Sequence, residues 1–348
     1  MSADLSRLVD LVEAFPKQTI ALLADFVADE FTFGEISRVS REAPVLILRH
    51  CETQLLPGGG ANAANNLADL GARVLPVSAV GDDASGRALL DYFRRKRVDT
   101  SGVVRVPGWT TPTKTRYLAG WTHTTRQQVL RVDREPPGAL PARARAALWS
   151  KARERVRRAR ALLVSDYGCG VATPEFVRRV RGGANTHKLV TLDSRFSLLD
   201  YRAAGITAAT PNEPELETLH HTRIGNDLAK LQRLAQKTIR QMKLEALVVT
   251  RGKDGMVVFE RGRAPCGIPI YGTDQTADVT GAGDTVIAVF TLALAAGASF
   301  VEAAHLANYA GGIVVMKRGT ATLTREELLT AIRSDATGSR GERGRGKG

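Results

Sequence analysis

The 348-residue chain is 43% hydrophobic and 24% charged, enough apolar material for a full-sized globular core, which excludes a small disulfide-stapled scaffold. It has no run of ~18 apolar residues and no basic stretch leading into an apolar signal core, and Cys51, Cys169 and Cys266 are scattered, so membrane spanning, classical secretion and a zinc knuckle are not expected and the cytoplasm is the expected compartment. The surplus of 49 Lys and Arg over 36 Asp and Glu, +13 in all, admits an anionic partner: nucleic acid, a charged surface or a phosphorylated small molecule.

Residues 1–17 read as an N-terminal extension, and Thr19–Leu23 as a first strand ending at Asp25. Residues 32–55 are rich in Thr, Val and Arg and have no helical period. Ala61–Leu70 reads as a helix closed by Gly71, Arg73–Val80 as a strand and Ser85–Arg97 as a helix. Residues 103–133 repeat the composition of 32–55. Strand-only insertions lack the crossover helices that parallel strands need, so the two segments predict a separate antiparallel layer, a small β-lid. Arg143–Arg160 interleaves arginines with alanines and has only Leu148 and Val156 as an apolar stripe, which predicts a charged, solvated helix.

Ala161–Ser165, Leu189–Leu192, Ile206–Ala209 and Ala246–Thr250 are short apolar runs separated by helical stretches, as buried parallel strands require. Two apolar helices, Ala282–Ala296 and Phe300–Met316, should pack on that sheet. From Asp335 to Gly348 the chain is basic, Gly-rich and expected to be disordered. Neither basic concentration is accompanied by an aromatic-rich reading surface, which argues against nucleic acid as a partner. The fold class is α/β: a central, mostly parallel sheet between helices over residues 18–334, with the β-lid.

The segment Asp278-Val279-Thr280-Gly281-Ala282-Gly283-Asp284 runs into an apolar helix. Small residues at Gly281, Ala282 and Gly283 let backbone N–H groups converge at a helix start, where the dipole favours a phosphoryl group. A carboxylate at Asp284 fits there if it accepts the proton of a hydroxyl attacking phosphorus. An N-terminal capping aspartate after a glycine turn is the simpler reading of the last residues alone.

These seven residues resemble the C-terminal signature of the ribokinase-like (PfkB) carbohydrate kinases. The run Pro57-Gly58-Gly59-Gly60-Ala61-Asn62-Ala63-Ala64-Asn65-Asn66-Leu67, some 220 residues earlier, resembles the N-terminal one. The resemblance covers residues 18–332 and implies ATP-dependent phosphorylation of a sugar, with Asp284 as the base and the backbone at Gly281, Ala282 and Gly283 holding the transferred group. It implies that Asp29, Gly59, Gly60 and Asn62 hold the acceptor. Asn212 and Glu215, in Asn212-Glu213-Pro214-Glu215, resemble the family's Asn-x-x-Glu, whose glutamate helps organise Mg2+ through water; a helix start capped by Asn212 is a compatible reading. Thr250, Gly252 and Gly255 fall in a segment like the family's nucleotide loop, and Asn308 falls where the adenine pocket is lined. A monovalent cation such as K+ near the Asp284 loop, and a homodimer paired through the lid, are further implications of the resemblance.

Several segments, among them Phe33–Val45, Thr111–Leu118, Arg126–Glu135 and Ser165-Asp166-Tyr167, resemble one branch: the D-glycero-D-manno-heptose 7-phosphate kinases of lipopolysaccharide-precursor synthesis. An acceptor carrying a phosphate needs cations, and Lys114, Arg116, Arg126 and Arg131 of the lid could supply them. Departures from the branch are Ala24-Asp25 for Gly-Asp, Asp29-Glu30-Phe31 for Asp-Arg-Tyr, Cys169 for lysine, and Asp193-Ser194-Arg195 for Asp-Pro-Lys. Glu30 would oppose an anionic acceptor if it pointed inward. No histidine lies in the HxGH motif of the adenylyltransferase half of bifunctional members, so the expected activity is the kinase alone, on O1 of the heptose phosphate. The sequence leaves open a kinase for another sugar or nucleoside (ribose, a fructose phosphate, adenosine) and a catalytically silent, kinase-like scaffold.

Overall fold

The computed structural model describes residues 4–121, 126–182, 189–195, 198–272, 278–317, 319 and 321–344, the side chains of 336–344 excepted. The chain opens with α1 (Leu5–Glu13), β1 (Thr19–Ala24), β2 (Phe26–Val39), β3 (Leu46–Gly59), α2 (Gly60–Asp69), β4 (Arg73–Gly81), α3 (Ala84–Arg95), β5 (Val103–Val106), β6 (Thr113–Gly120) and β7 (Gln127–Arg134). It continues through α4 (Ala142–Arg158), β8 (Ala161–Asp166), α5 (Pro174–Gly182), β9 (Leu189–Ser194), β10 (Ala208–Ala209), α6 (Glu213–Leu219) and α7 (Leu228–Met242). The last elements are β11 (Ala246–Thr250), β12 (Met256–Glu260), β13 (Cys266–Ile268), α8 (Ala282–Ala295), α9 (Phe300–Val315) and α10 (Arg325–Gly344).

Nine strands form one sheet in the order β13-β12-β11-β10-β9-β8-β1-β4-β5. The strands from β5 to β11 are parallel, and β12 and β13 complete the edge antiparallel. The parallel strands are apolar on both faces because helices cover both. α1, α2, α3, α8, α9 and α10 bury one face around Leu67, Phe93, Phe290 and Leu306, and α4, α5, α6 and α7 bury the other around Leu148, Val177, Leu216 and Leu231. α8 is buried almost all round, as its largely apolar sequence requires, and its Thr291 shares a 2.6 Å hydroxyl–hydroxyl hydrogen bond with Thr191 of β9.

The chain leaves β1 towards β4 on one side and returns to β8 on the other. The carboxyl ends of β1 and β8 therefore flank the point where strand order reverses, the crevice where open α/β sheets hold ligands.

The lid is a four-stranded sheet, β3-β2-β6-β7, and corrects the expectation in three ways. It starts at Phe26 and runs through Gly59, beyond the expected 32–55. In the second expected segment, Val103–Val106 pairs with β4 in the main sheet, and the lid resumes only at Thr113; residues 122–125 lie outside the described residues. The lid is also not wholly antiparallel. β2 and β6 run parallel, because the intervening α2, β4, α3 and β5 form a crossover long enough to bring the chain back in the same direction.

Both chain ends differ from expectation as well. α1 buries Leu8, Leu11 and Val12 in the main core, so the first residues are part of the domain rather than an extension to it. α10 buries Leu328 and Ile332 and runs to Gly344, where disorder was expected from 335; once a helix is anchored on a core, each further residue costs little compared with nucleation. Residues 345–348 lie outside the described residues. α4 is less solvated than its charge suggests. Arg155 is 2% exposed and turns inward to Asp99 (3.1 Å) and Ser101 (2.8 Å).

Candidate active site

Asp25, fully buried at the end of β1, accepts backbone N–H groups from Tyr167, Cys169, Val171 and Ala172 at 2.8–3.2 Å. One carboxylate thus fixes the whole loop after β8 across the switch point. Burial, with the charge of Asp166, pushes its pKa up to about 6, and the N–H groups of Cys169, Val171 and Tyr167 oppose that rise.

The two signature segments meet above this floor. α2 and α8 begin side by side, so residues 222 positions apart touch: the Asn62 side-chain amide donates to Asp284 Oδ2 (3.2 Å) and to the Gly281 carbonyl (3.3 Å). Asn66 in turn donates to Asn62 Oδ1 (3.2 Å), and the Thr285 hydroxyl donates to Asn66 (3.1 Å). Gly281 precedes the helix with φ of 79°, a conformation costly for any residue with a side chain. The Ala282 N–H already donates to the Val279 carbonyl at 3.3 Å, so of the three N–H groups expected to face a phosphoryl group, this one carries a long bond that a phosphoryl oxygen would have to outcompete.

Asp284 is 2% exposed. Tyr167 donates its hydroxyl to Oδ1 at 2.8 Å, while Asn62 holds Oδ2. Burial pushes the Asp284 pKa up to about 7, opposed by these two donors and by Lys114, and reinforced by Asp29. A carboxyl group so poised can take up and release a proton near neutrality.

Asp29 lies on β2 itself, not in a loop, and is 4% exposed. Its carboxylate rests flush against Gly58, where a Cβ would come within 2.5 Å of it, and it accepts from Arg116 (2.7 Å). Gly59 has φ of 52°, and a Cβ there would meet Val27 at 2.9 Å and the Tyr167 ring at 3.2 Å. Gly60 lies equally close to Ala24. These glycines let the lid strand, the first helix and the loop after β8 close on one point.

Strand alternation puts Glu30 on the opposite face of β2 from Asp29, where it accepts from Thr115 (2.8 Å) and Arg134 (3.0 Å). Glu30 thus does not share Asp29's face, and it bears on the cations of the lid by pairing with Arg134.

A pocket of ≈ 160 Å³ opens beside Tyr167, lined by Lys114, Arg131, Arg134, Arg195, Asp133 and Glu135 among others. Its four cations outnumber its two carboxylates. Lys114 sits 5.3 Å from the centre of the Tyr167 ring, and burial together with Arg195 pulls its pKa below the ordinary lysine range. Arg131 is held bidentately by Asp133 (2.9 and 3.0 Å). Of the other lid cations, Arg116 pairs with Asp29 and Arg126 lies over the Phe33 ring. Cys169 lines the pocket, and burial pushes its thiol up to about 12, which leaves it uncharged and unreactive.

At the α8 N-terminus lies a separate cavity of ≈ 400 Å³. Asn212, Thr250, Gly252, Gly255 and Asn308 all line it, together with Ala282 and Gly283. The Asn308 amide donates to the Pro269 carbonyl (2.8 Å), which makes it a brace for the cavity wall.

At the cavity's edge Asn212 and Glu215 form a reciprocal capping box, with Glu215 N to Asn212 Oδ1 at 2.7 Å and Asn212 N to Glu215 Oε2 at 2.9 Å, so the capping reading of this motif holds. Burial raises the pKa of Glu215, and burial with the neighbouring charges of Glu215 and Asp284 raises that of Asp193. Mutually opposed carboxylates of this kind fit a hard divalent cation that keeps most of its water. Among the described residues no group of three or more His, Cys, Asp or Glu is arranged to hold a metal by itself.

Sequence reasoning passed over Asp193 as a site carboxylate, and did not single out Tyr167 or Arg195 for a role. Each follows the carboxyl end of a parallel strand or lies at it, and that position was the available signal.

A profile described as pfkB family carbohydrate kinase matches residues 31–327. The chain is 39% identical over 313 residues to the bifunctional protein HldE of Geobacter metallireducens and 37% identical to that of Geobacter sulfurreducens, covering 89% of this chain and 62% of each of those proteins. It thus spans less than two thirds of the length of these curated relatives. Ribokinase from Arabidopsis thaliana, solved with ribose and ATP, superposes with a TM-score of 0.71 at 20% identity, over 91% of this chain and 99% of that one. Phosphofructokinase-2 from Escherichia coli, solved with potassium, gives 0.72 at 19% identity, over 92% and 99%.

Proposed function

The chain belongs to the pfkB family of carbohydrate kinases, and on that premise we propose that it transfers the γ-phosphoryl group of ATP to a hydroxyl of a sugar that already carries a phosphate, namely O1 of D-glycero-D-manno-heptose 7-phosphate. The observation that carries this reading is the cationic pocket lined by Tyr167, the residue whose hydroxyl reaches Asp284. A phosphate at the far end of the acceptor would suit a pocket whose lining carries more cations than carboxylates, and a neutral acceptor such as ribose or adenosine offers it no such charge. The similarity to the bifunctional HldE proteins supports a heptose-related acceptor.

Asp284 takes the acceptor's proton as that hydroxyl oxygen bonds to the γ-phosphorus. The bond to the bridging oxygen breaks, and ADP leaves with the electron pair. Backbone N–H groups at Gly281, Ala282 and Gly283 hold the transferred group, and the helix dipole favours its charge. Asp29, together with the backbone at Gly59 and Gly60, holds the acceptor; Asn62 has both amide hydrogens already directed at Asp284 and Gly281. Asn212, Thr250, Gly252, Gly255 and Asn308 shape the nucleotide cavity. Glu215 and Asp193 would hold Mg2+ through water, and that ion, when bound, would neutralise charge on the donor phosphates.

A K+ ion near the loop before α8 belongs to the same proposal, supported by the potassium complex of the phosphofructokinase-2. So does a homodimer through the lid, whose Trp121, Leu130 and Val132 are 57%, 56% and 42% exposed.

The test is ATP-dependent phosphorylation across heptose 7-phosphate, fructose 6-phosphate, ribose and adenosine, with D284N as control. Turnover of the heptose phosphate is expected. Turnover of ribose or adenosine in its place would overturn the phosphorylated acceptor, and silence with ATP still bound would favour a scaffold.

A further inference from the structure

We propose that Tyr167 is a positioning residue for phosphoryl transfer: its hydroxyl, donated to Asp284 Oδ1, fixes the carboxylate on one side while Asn62 fixes it on the other, so that the acceptor hydroxyl meets a base already aimed. The inference rests on the reading of Asp284 as that base.

Three contacts support it. The tyrosine hydroxyl is 2.8 Å from Asp284 Oδ1. Its ring lies against Gly59, where even a methyl group would crowd it at 3.2 Å. The Lys114 ammonium lies over the ring at 5.3 Å from its centre, and the ring lines the cationic pocket. One side chain therefore stands between the base and the place proposed for the acceptor's phosphate. The backbone beneath is not free to drift, because Asp25 accepts the Tyr167 N–H at 2.9 Å.

A carboxylate has two acceptor oxygens with room for more than one donor each. Tyr167 and Asn62 occupy one position on each oxygen and leave the others to the acceptor. Donors that favour the charged form keep a buried carboxylate ionised against the cost of its burial. The charged groups acting on Asp284 and Tyr167 are Asp29 and Lys114 from the lid, with Asp193 and Arg195 from the end of β9. None of them replaces a hydrogen bond lost at Oδ1.

The test is Tyr167→Phe, which removes one oxygen and keeps the ring between Gly59 and Lys114; an unchanged melting profile checks that the fold is kept. In protein labelled with 13C at aspartate carboxyls, the Asp284 resonance is identified by its loss in D284N and titrated without any acceptor. We expect its midpoint to rise by about one pH unit in Tyr167→Phe, a tenfold loss of proton-releasing tendency. In turnover with the acceptor that the wild-type chain uses, kcat should fall about tenfold or more with the KM for ATP unchanged, and the acid limb of the pH profile should move up by the same step. An unmoved midpoint, or a rise in acceptor KM with kcat intact, would overturn the inference and make Tyr167 a wall of the pocket. Wild-type turnover by D284N would overturn the underlying reading instead, so the two failures are distinct.

Discussion

The two halves of the cleft are built on different principles. The ≈ 400 Å³ cavity is shaped by small residues and backbone: Gly252, Gly255, Gly311 and Gly312 line it, and a Cβ on Gly312 would come within 2.3 Å of the Tyr271 carbonyl. The acceptor side is shaped by charge: Asp29 with Arg116, Glu30 with Arg134, Arg131 with Asp133, and Lys114 over Tyr167. A cavity defined by absent side chains can take the same ligand in many chains. A pocket defined by ion pairs fixes one pattern of charge, and changing one member leaves the other unpaired in a partly buried place. On the proposed reading, the catalytic geometry would be the part shared widely, and the choice of acceptor would reside in the lid.

The largest expected effect lies at the junction of the halves. D284N should keep the fold and reduce turnover by about 10²–10⁴-fold, the range for a general base, with ATP binding retained. The same variant tests linkage. Asp284 titrates near 7 and Asp25 near 6 in the folded chain, both above the unfolded carboxylate range, so the folded state binds more protons and stability falls as pH rises through that window. D284N should therefore melt higher than wild type at pH 8 and no higher at pH 4, while wild-type kcat/KM declines below pH 7. A melting curve for D284N that matches wild type at pH 8 would count against a buried charge.

Next comes the brace beneath both halves. Asp25→Ala strands four backbone donors, two buried and two part-buried, and should cost on the order of 3 kcal/mol, read as a lower urea midpoint. A smaller loss would mean that the loop after β8 is held by other contacts.

Lys114→Met should raise the KM for a phosphorylated acceptor about 10- to 100-fold, the scale of one charge-assisted hydrogen bond, and leave the KM for ATP unchanged. Gly312→Ala should do the reverse by a smaller factor, since Tyr271 must move to admit the new methyl group. If each variant shifted both constants, the division between the halves would fail.

Much of this was legible beforehand. The parallel strands declared themselves as short apolar runs, the α8 helix by its largely apolar sequence, and the ≈ 400 Å³ cavity by glycines in local motifs; all five residues expected at a nucleotide line it. Local sequence carries such features because backbone conformation and burial are set within a few residues. Asn62 and Asp284 could be found singly, and their hydrogen bond could not, because it depends on two helices packing side by side. The acceptor side was harder still. Glu30 would have been an obstacle only if it pointed inward, and strand alternation turns it to the other face, where it meets Arg134; Tyr167 read as part of a resemblance, and the fold brings its hydroxyl to Asp284. By itself, the sequence determined the elements, their layers and the groups able to do chemistry. Which charges cancel, which donors meet Asp284 and where the lid begins were decided only by the tertiary structure, because pairing across 100 or more residues is set by strand register and helix packing rather than by any local pattern.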